Sequence, residues 1–319
     1  MLQVSDSMLG SHGMRLFLLS VFAAAFMALA ASVRAAGSLV LQTDFGQRDG
    51  AVAAMKGVAV GVDPHLAIFD LTHEIPAFDI WEAAYRLKQA APFWPSGTVF
   101  VSVVDPGVGT DRKSVVLLTK SGHLFVSPDN GTLTLVAEDL GIAAVRQIDE
   151  SRNRLPGSET SYTFHGRDVY AYTGARLASG VIAFADVGPE QPPDVIRLPY
   201  EKPRIEGNLL IGNIPVLDVQ YGNVWTNIPS QLFERLQPTL GDVFKVSILH
   251  RREIVYTGEM PYAHTFGDVP EGKPLLYLNS LLNVSLALNL ASFAGQHHVS
   301  AGSDWTVRVE RTQPGVPTH

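Results

Sequence analysis

From residue 38 the chain alternates short unbroken apolar runs with stretches whose apolar positions recur every three or four residues. Residues 38–43 form the first run, which stops at Asp44; Asp49-Gly50 then opens 51–60, a small-residue helix suited to close packing on a sheet. Residues 67–71 form the next run and lead into Thr72-His73-Glu74. Ile80, Ala83, Ala84, Leu87 and Ala91 follow at helical spacing, and Asp79 with Glu82 three residues on predicts a capped helix start. With the run 98–104 this makes a strand–helix–strand–helix–strand series, the pattern of a parallel α/β sheet.

The pattern then changes. Residues 114–120 and 123–127 read as a hairpin around Ser121-Gly122, which makes the sheet mixed at one side. A helix is expected over 133–138, a strand over 143–148, a polar surface loop over 151–162 and a helix over 169–177. Pro189, Pro192, Pro193, Pro199 and Pro203 interrupt any periodicity, and a domain boundary is placed there. Beyond it, 209–219, 243–249, 253–256, 275–278 and 305–311 are short strand-like runs that predict a small β domain or barrel.

Composition adds an address and removes several functions. The formal charge of −7 leaves no basic footprint for nucleic acid, and the absence of cysteine removes disulfides and thiolate metal sites. Arg15, the apolar run 16–31 and the small residues around Ala31 to Ala36 follow the order of a secretory signal peptide, with cleavage expected after Ala35 or Ala36. The expected organisation is a signal peptide over 1–36, an α/β domain over 37–190, a Pro-rich linker over 191–205 and a β domain over 206–312. Export to a bacterial periplasm is expected, with no membrane contact after cleavage.

Chemistry concentrates in Val103-Val104-Asp105-Pro106-Gly107-Val108-Gly109-Thr110-Asp111-Arg112, where a buried strand ends in a carboxylate, two glycines and an arginine. Taken alone, this is a strand-to-strand turn with a local ion pair. No zinc-protease helix, phosphate loop or serine-hydrolase elbow is present, and His297-His298 are adjacent and cannot share a face. What remains is Asp44, Asp70 and Asp105 at strand tips, Arg112, and His165 before a helix. Ionised strand-tip carboxylates suit ribose hydroxyls or a ligand ammonium. Asp218, Asn223 and Trp225 add an acid, an amide and an indole suited to an amine, a purine edge and a sulfonium face. The residues themselves reach as far as a polar, nucleoside-like ligand held between two domains.

Thr43-Asp44-Phe45-Gly46, Asp70-Leu71-Thr72-His73-Glu74-Ile75, the run from Val104 to Thr110, Pro128-Asp129-Asn130-Gly131 and Phe164-His165-Gly166-Arg167-Asp168 stand in an order that resembles the S-adenosylmethionine hydroxide adenosyltransferase family, relatives of the fluorinase and chlorinase. The resemblance implies a Rossmann-like domain with a mixed sheet, a C-terminal β-barrel, and a homotrimer with active sites between subunits. It also implies hydrolysis of S-adenosylmethionine to adenosine and methionine without metal or cofactor. On this resemblance Asp105, Arg112 and His165 are the catalytic set, and Asp44 is the ribose-binding acid. Asp49 and Asp218 hold the methionine ammonium, Asn223 and Trp225 surround the ligand, and Ser280 meets the carboxylate. Halide transfer and ligand binding without turnover are the alternatives. The chain departs from the family pattern at Leu281-Leu282 and in Asn289-Leu290-Ala291-Ser292, which lacks the family's Gly-Asn or Gly-Ser ending.

Overall fold

A computed structural model describes residues 37–312; the signal-peptide reading of 1–36 lies outside the described residues. Seven strands form one sheet: β1 (Leu39–Thr43), β2 (Ile68–Thr72), β3 (Val99–Val103), β4 (Ser114–Thr119), β5 (Leu124–Pro128), β6 (Ile142–Gln147) and β7 (Glu190–Gln191), in the order β2-β1-β3-β5-β4-β6-β7. The pairs β1–β2, β1–β3 and β3–β5 are parallel, whereas β4–β5, β4–β6 and β6–β7 are antiparallel. The mixed α/β sheet expected from the hairpin is therefore present. Because β1 and β3 lie side by side in parallel, their carboxyl ends bring Asp44 and Asp105 to one edge.

Helices cover both faces of this sheet, which is why β1 and β3 are buried at every position. On one face Met55 and Ala59 of the helix Ala51–Val62 pack with Val169, Tyr170 and Ala175 against Leu39, Leu41, Val101 and Val103. On the other, Leu87 of the helix Ile80–Ala90 packs with Leu133 and Val136 against Val40, Phe100 and Phe125. The predicted cap is present, since Asp79 accepts a hydrogen bond from the Glu82 amide at 2.9 Å.

Residues 192–203 carry no strand or helix. After them come β8 (Arg204–Glu206), β9 (Leu209–Ile214), β10 (Val216–Asp218), β11 (Asn223–Pro229), β12 (Val243–His250), β13 (Glu253–Pro261), β14 (Pro274–Leu278), β15 (Asn283–Leu288) and β16 (Gly302–Arg311). They form two antiparallel sheets, β10-β11-β15-β14 and β13-β12-β16-β9-β8, around a common core that includes Leu210, Val224, Phe244, Leu286, Val307 and Phe293. The expected barrel is not formed, because neither sheet closes on itself. The run read as one strand over 209–219 breaks at Pro215, which has no N–H to continue a ladder. There the chain leaves the five-stranded sheet and enters the four-stranded one.

Trp81 Nε1 donates to the Pro215 carbonyl at 2.9 Å, so the break also docks this half onto the helix Ile80–Ala90. Among the described residues, no helix is long and apolar enough to cross a membrane.

Candidate active site

The loop after β3 delivers three interacting groups. Gly109 takes a left-handed backbone (φ +79°), and a Cβ on Gly107 would press on the Arg112 stem at 3.3 Å, so glycine at both positions eases the fold of Arg112 back over Asp105. Arg112 then grips Asp105 through two hydrogen bonds, from Nε at 2.8 Å and from Nη2. Its Nη1 donates to Ser114 Oγ at 2.8 Å, and its guanidinium lies 5.5 Å from the Tyr170 ring centre. Burial works against the Arg112 charge, but the Asp105 carboxylate outweighs it and holds the guanidinium above its ordinary pKa. The local ion pair read from the sequence is thus a buried, bidentate one.

It does not end there, because Arg112 Nη2 also lies 3.1 Å from His165 Nδ1. His165 stands at the start of a π-helical turn, Gly166–Ala171, which runs into the helix Tyr172–Ala178. Such turns change the aim of a side chain without ending the helix. The other ring nitrogen, Nε2, lies 3.1 Å from Nη2 of Arg154, a residue the sequence reading left inside a polar surface loop. Arg154 is buried, donates from Nη2 to its anchor Glu150 at 2.8 Å, and stacks 4.6 Å from the Tyr162 ring centre. Burial lowers the His165 pKa; Arg112 and Arg154 lower it further, while Glu150 and Asp105 raise it, and the net direction is down. The imidazole is therefore neutral at neutral pH.

A cavity of about 260 Å³ opens on this cluster, lined by Asp44, Phe45, Phe78, Asp105, Val108, Phe164 and His165 among others. Arg112 is not part of the lining and joins Asp105 to His165 from behind. Asp44 Oδ2 accepts the Phe78 amide at 2.9 Å. The Asp44 loop is braced from below: Thr43 Oγ1 meets His73 Nδ1 at 2.9 Å, His73 Nε2 meets Asp70 at 3.0 Å, and Lys56 meets Asp70 at 2.7 Å. Burial pushes the Asp70 carboxyl up, but Lys56 and His73 outweigh that and hold it below its usual range. Asp70 is thus spent on a structural relay and lies outside the cavity lining. Asn130 is likewise structural, donating to the Val104 carbonyl at 2.8 Å and accepting from Thr132 in a turn.

The remaining candidates are not brought here within one chain. Asp49 is exposed and accepts from the Ala51 amide at 2.9 Å, at the start of its helix. Asp218 accepts from Asn223 Nδ2 at 3.1 Å, beside a separate cleft formed with Asp79, Trp81 and Arg86. Trp225 packs with Tyr85, Val216 and Leu281, and Ser280 is exposed in a turn. Leu282 and Leu290, at the departures from the family pattern, have left-handed backbones (φ +57° and +56°) and are 57% and 82% exposed. Glycine would adopt that conformation without strain.

Comparison with known proteins adds lineage to this geometry. The SAM hydroxide adenosyltransferase N-terminal domain matches residues 39–188, and the C-terminal domain of the same family matches 212–306. The (R)-S-adenosyl-L-methionine hydrolase of Salinispora tropica is 38% identical over 249 residues, 77% of this chain and 88% of that protein. A fluorinase from an Actinoplanes species is 29% identical over 294 residues, 84% of this chain and 96% of that protein. The crystal structure of an uncharacterized conserved protein from Thermotoga maritima superposes with a TM-score of 0.79 at 35% identity, covering 86% of this chain and 100% of that one. With both domain matches in order along the chain, this protein belongs to the SAM hydroxide adenosyltransferase family.

Proposed function

We propose that this protein hydrolyses S-adenosylmethionine to adenosine and L-methionine, and that Asp105, Arg112 and His165 carry the reaction. The observation that supports it most is the continuous contact from Asp105 through Arg112 to His165 at the wall of a cavity that Asp44 also lines. Asp44 would hold the ribose hydroxyls, because an ionised carboxylate accepts two strong hydrogen bonds from a diol.

The substrate's sulfonium is already an activated leaving group. Water held between Asp105 and His165 attacks the ribose 5′ carbon in line with sulfur. The new O–C bond forms as C–S breaks, sulfur keeps the electron pair as a neutral thioether, and the water proton leaves through the Asp105–His165 pair. Arg112, charged and fixed behind both, stabilises negative charge on the attacking oxygen. This chemistry calls for no metal or cofactor, since the carbon to be attacked needs no further activation.

The cavity is smaller than the roughly 300–1,000 Å³ of sites that enclose drug-sized ligands. We therefore propose that a second wall, with Asp218, Asn223, Trp225 and Ser280, comes from a neighbouring subunit of a homotrimer. Export to the periplasm is proposed on the Arg15 and 16–31 pattern alone. Greater similarity to the named hydrolase than to the fluorinase favours water over halide.

The test is to incubate the purified protein with S-adenosylmethionine, with and without chloride, and separate the products. Adenosine with methionine in both cases is expected. A 5′-halogenated nucleoside, or ligand bound stoichiometrically and unchanged, would overturn the reading.

A further inference from the structure

We propose that Arg154, anchored by Glu150, is a positioning residue that keeps His165 neutral and fixes its ring in the catalytic plane of Asp105 and Arg112. The inference rests on the hydrolase reading for its catalytic meaning, but the clamp itself is a matter of geometry. A guanidinium carries donors and no acceptor. His165 has one on each side, with Arg112 Nη2 3.1 Å from Nδ1 and Arg154 Nη2 3.1 Å from Nε2. An imidazolium in this slot would point both of its N–H groups at cations and find no acceptor. A neutral ring can accept from one of them, so the slot selects the neutral form.

Arg154 is committed to this task by its surroundings. Its side chain is 5% exposed, one Nη2 hydrogen is taken by Glu150 Oε2 at 2.8 Å, and Tyr162 covers its face. Glu150 begins the short helix Glu150–Asn153, whose cap, Asp149, accepts from the Ser151 amide at 3.1 Å. The chain Asp105–Arg112–His165–Arg154–Glu150 therefore alternates two carboxylates and two guanidiniums about one neutral ring. The other titratable groups packed on the ring are Tyr162 and Tyr170, with centroids 6.3 and 6.5 Å away. Tyr170 stays protonated, because burial pushes its phenol well above the usual range.

The two members of the clamp carry opposite charge, so they act on His165 with opposite sign. Removing the Arg154 charge makes protonation of the ring easier and raises its pKa. Removing the Glu150 charge makes it harder and lowers it. A purely structural brace would not split in this way.

The experiment is an NMR titration of the His165 ring in the full chain, with its resonance assigned by its loss in His165→Gln. It is run on the wild type, Arg154→Gln, Arg154→Lys and Glu150→Gln, with thermal unfolding to confirm that each is folded. We expect the His165 midpoint to rise by about one pH unit in Arg154→Gln, to fall in Glu150→Gln, and to stay near wild type in Arg154→Lys. The acid limb of kcat/KM for S-adenosylmethionine should follow the same order. Shifts of one sign in both neutralising variants, or no shift in either, overturn the proposal. A split titration in a protein that turns over no S-adenosylmethionine would overturn the hydrolase reading and leave the clamp in place.

Discussion

The seven-stranded sheet and the paired antiparallel sheets treat their polar candidates in opposite ways. At the carboxyl edge of the first, Arg112 locks Asp105 and His165 by hydrogen bonds of 2.8–3.1 Å, and those two open on one cavity with Asp44. In the second, Ser280 is exposed, Asp218 is paired only to Asn223, and Trp225 is packed among apolar residues. The first region gathers its candidates around one cavity within a single chain, while in the second only Asp218 reaches a cleft, one apart from that cavity. On the proposed function, the contrast teaches that reaction chemistry and ligand grip are built separately, one from parallel strand tips and one from turns between antiparallel strands.

The sharpest way to break this comparison is Arg112→Ala. It should lower kcat by about 10²–10³-fold with a much smaller change in KM, since Arg112 lies behind the cavity and on the proposed function acts on developing charge. It also strands a buried Asp105 carboxylate, so a stability loss of about 3–5 kcal/mol should appear in denaturant unfolding. Equal losses in kcat/KM and affinity would place Arg112 in binding instead.

Asp218→Asn should do the reverse, raising KM by tenfold or more, on the order of the roughly 1.5–3 kcal/mol of a charged hydrogen bond, with kcat little changed. If the second wall comes from a neighbour, mixing Arg112→Ala with a severely impaired Asp218 variant under conditions of subunit exchange should restore part of the activity. Mixtures no more active than the average of their parents would return Asp218 to its own chain.

The pH response is a smaller effect. His165 is held below its ordinary value of 6.5, so its neutral form, and the activity that depends on it, persists below that pH. The unfolded chain takes up a proton near 6.5 that the folded site resists. Stability should therefore fall as pH drops below about 6.5 toward the lowered folded value, and His165→Gln should flatten that part of the profile in calorimetry. The smallest effect is on the other side of the comparison. Leu282→Gly and Leu290→Gly should each stabilise the fold by about 0.5–1 kcal/mol, as relief of the left-handed backbone outweighs glycine's added chain entropy, with kcat unchanged.

Much of the first half was legible because its strands are unbroken apolar runs ending in a charged residue. Residues 38–43 became β1 and 98–104 became β3 with little change of boundary, and the hairpin at Ser121-Gly122 is present. In the second half β11 and β15 went unread as strands. Asn223, Thr226, Asn283 and Ser285 break their apolar pattern, yet all are buried, with Thr226 Oγ1 donating to the Val284 carbonyl at 2.7 Å. Polar side chains that find partners inside a sheet look like loop in one dimension. Arg154 was hidden for the same reason: Ser151, Arg152, Asn153 and Arg154 are polar in a row, and nothing in that row says that Asn153 and Arg154 are folded inward.

What the sequence determined by itself was the order of elements and the chemistry at their tips, because hydrophobic periodicity and turn residues act over a few neighbours. Tertiary structure alone decided which tips meet. It joined Asp105, Arg112, Arg154 and His165 from separate segments, spent Asp70 on a brace, and divided the expected barrel into two sheets at Pro215. Charges pair, and strands choose partners, by distance in space, and that distance exists only once the cores have packed.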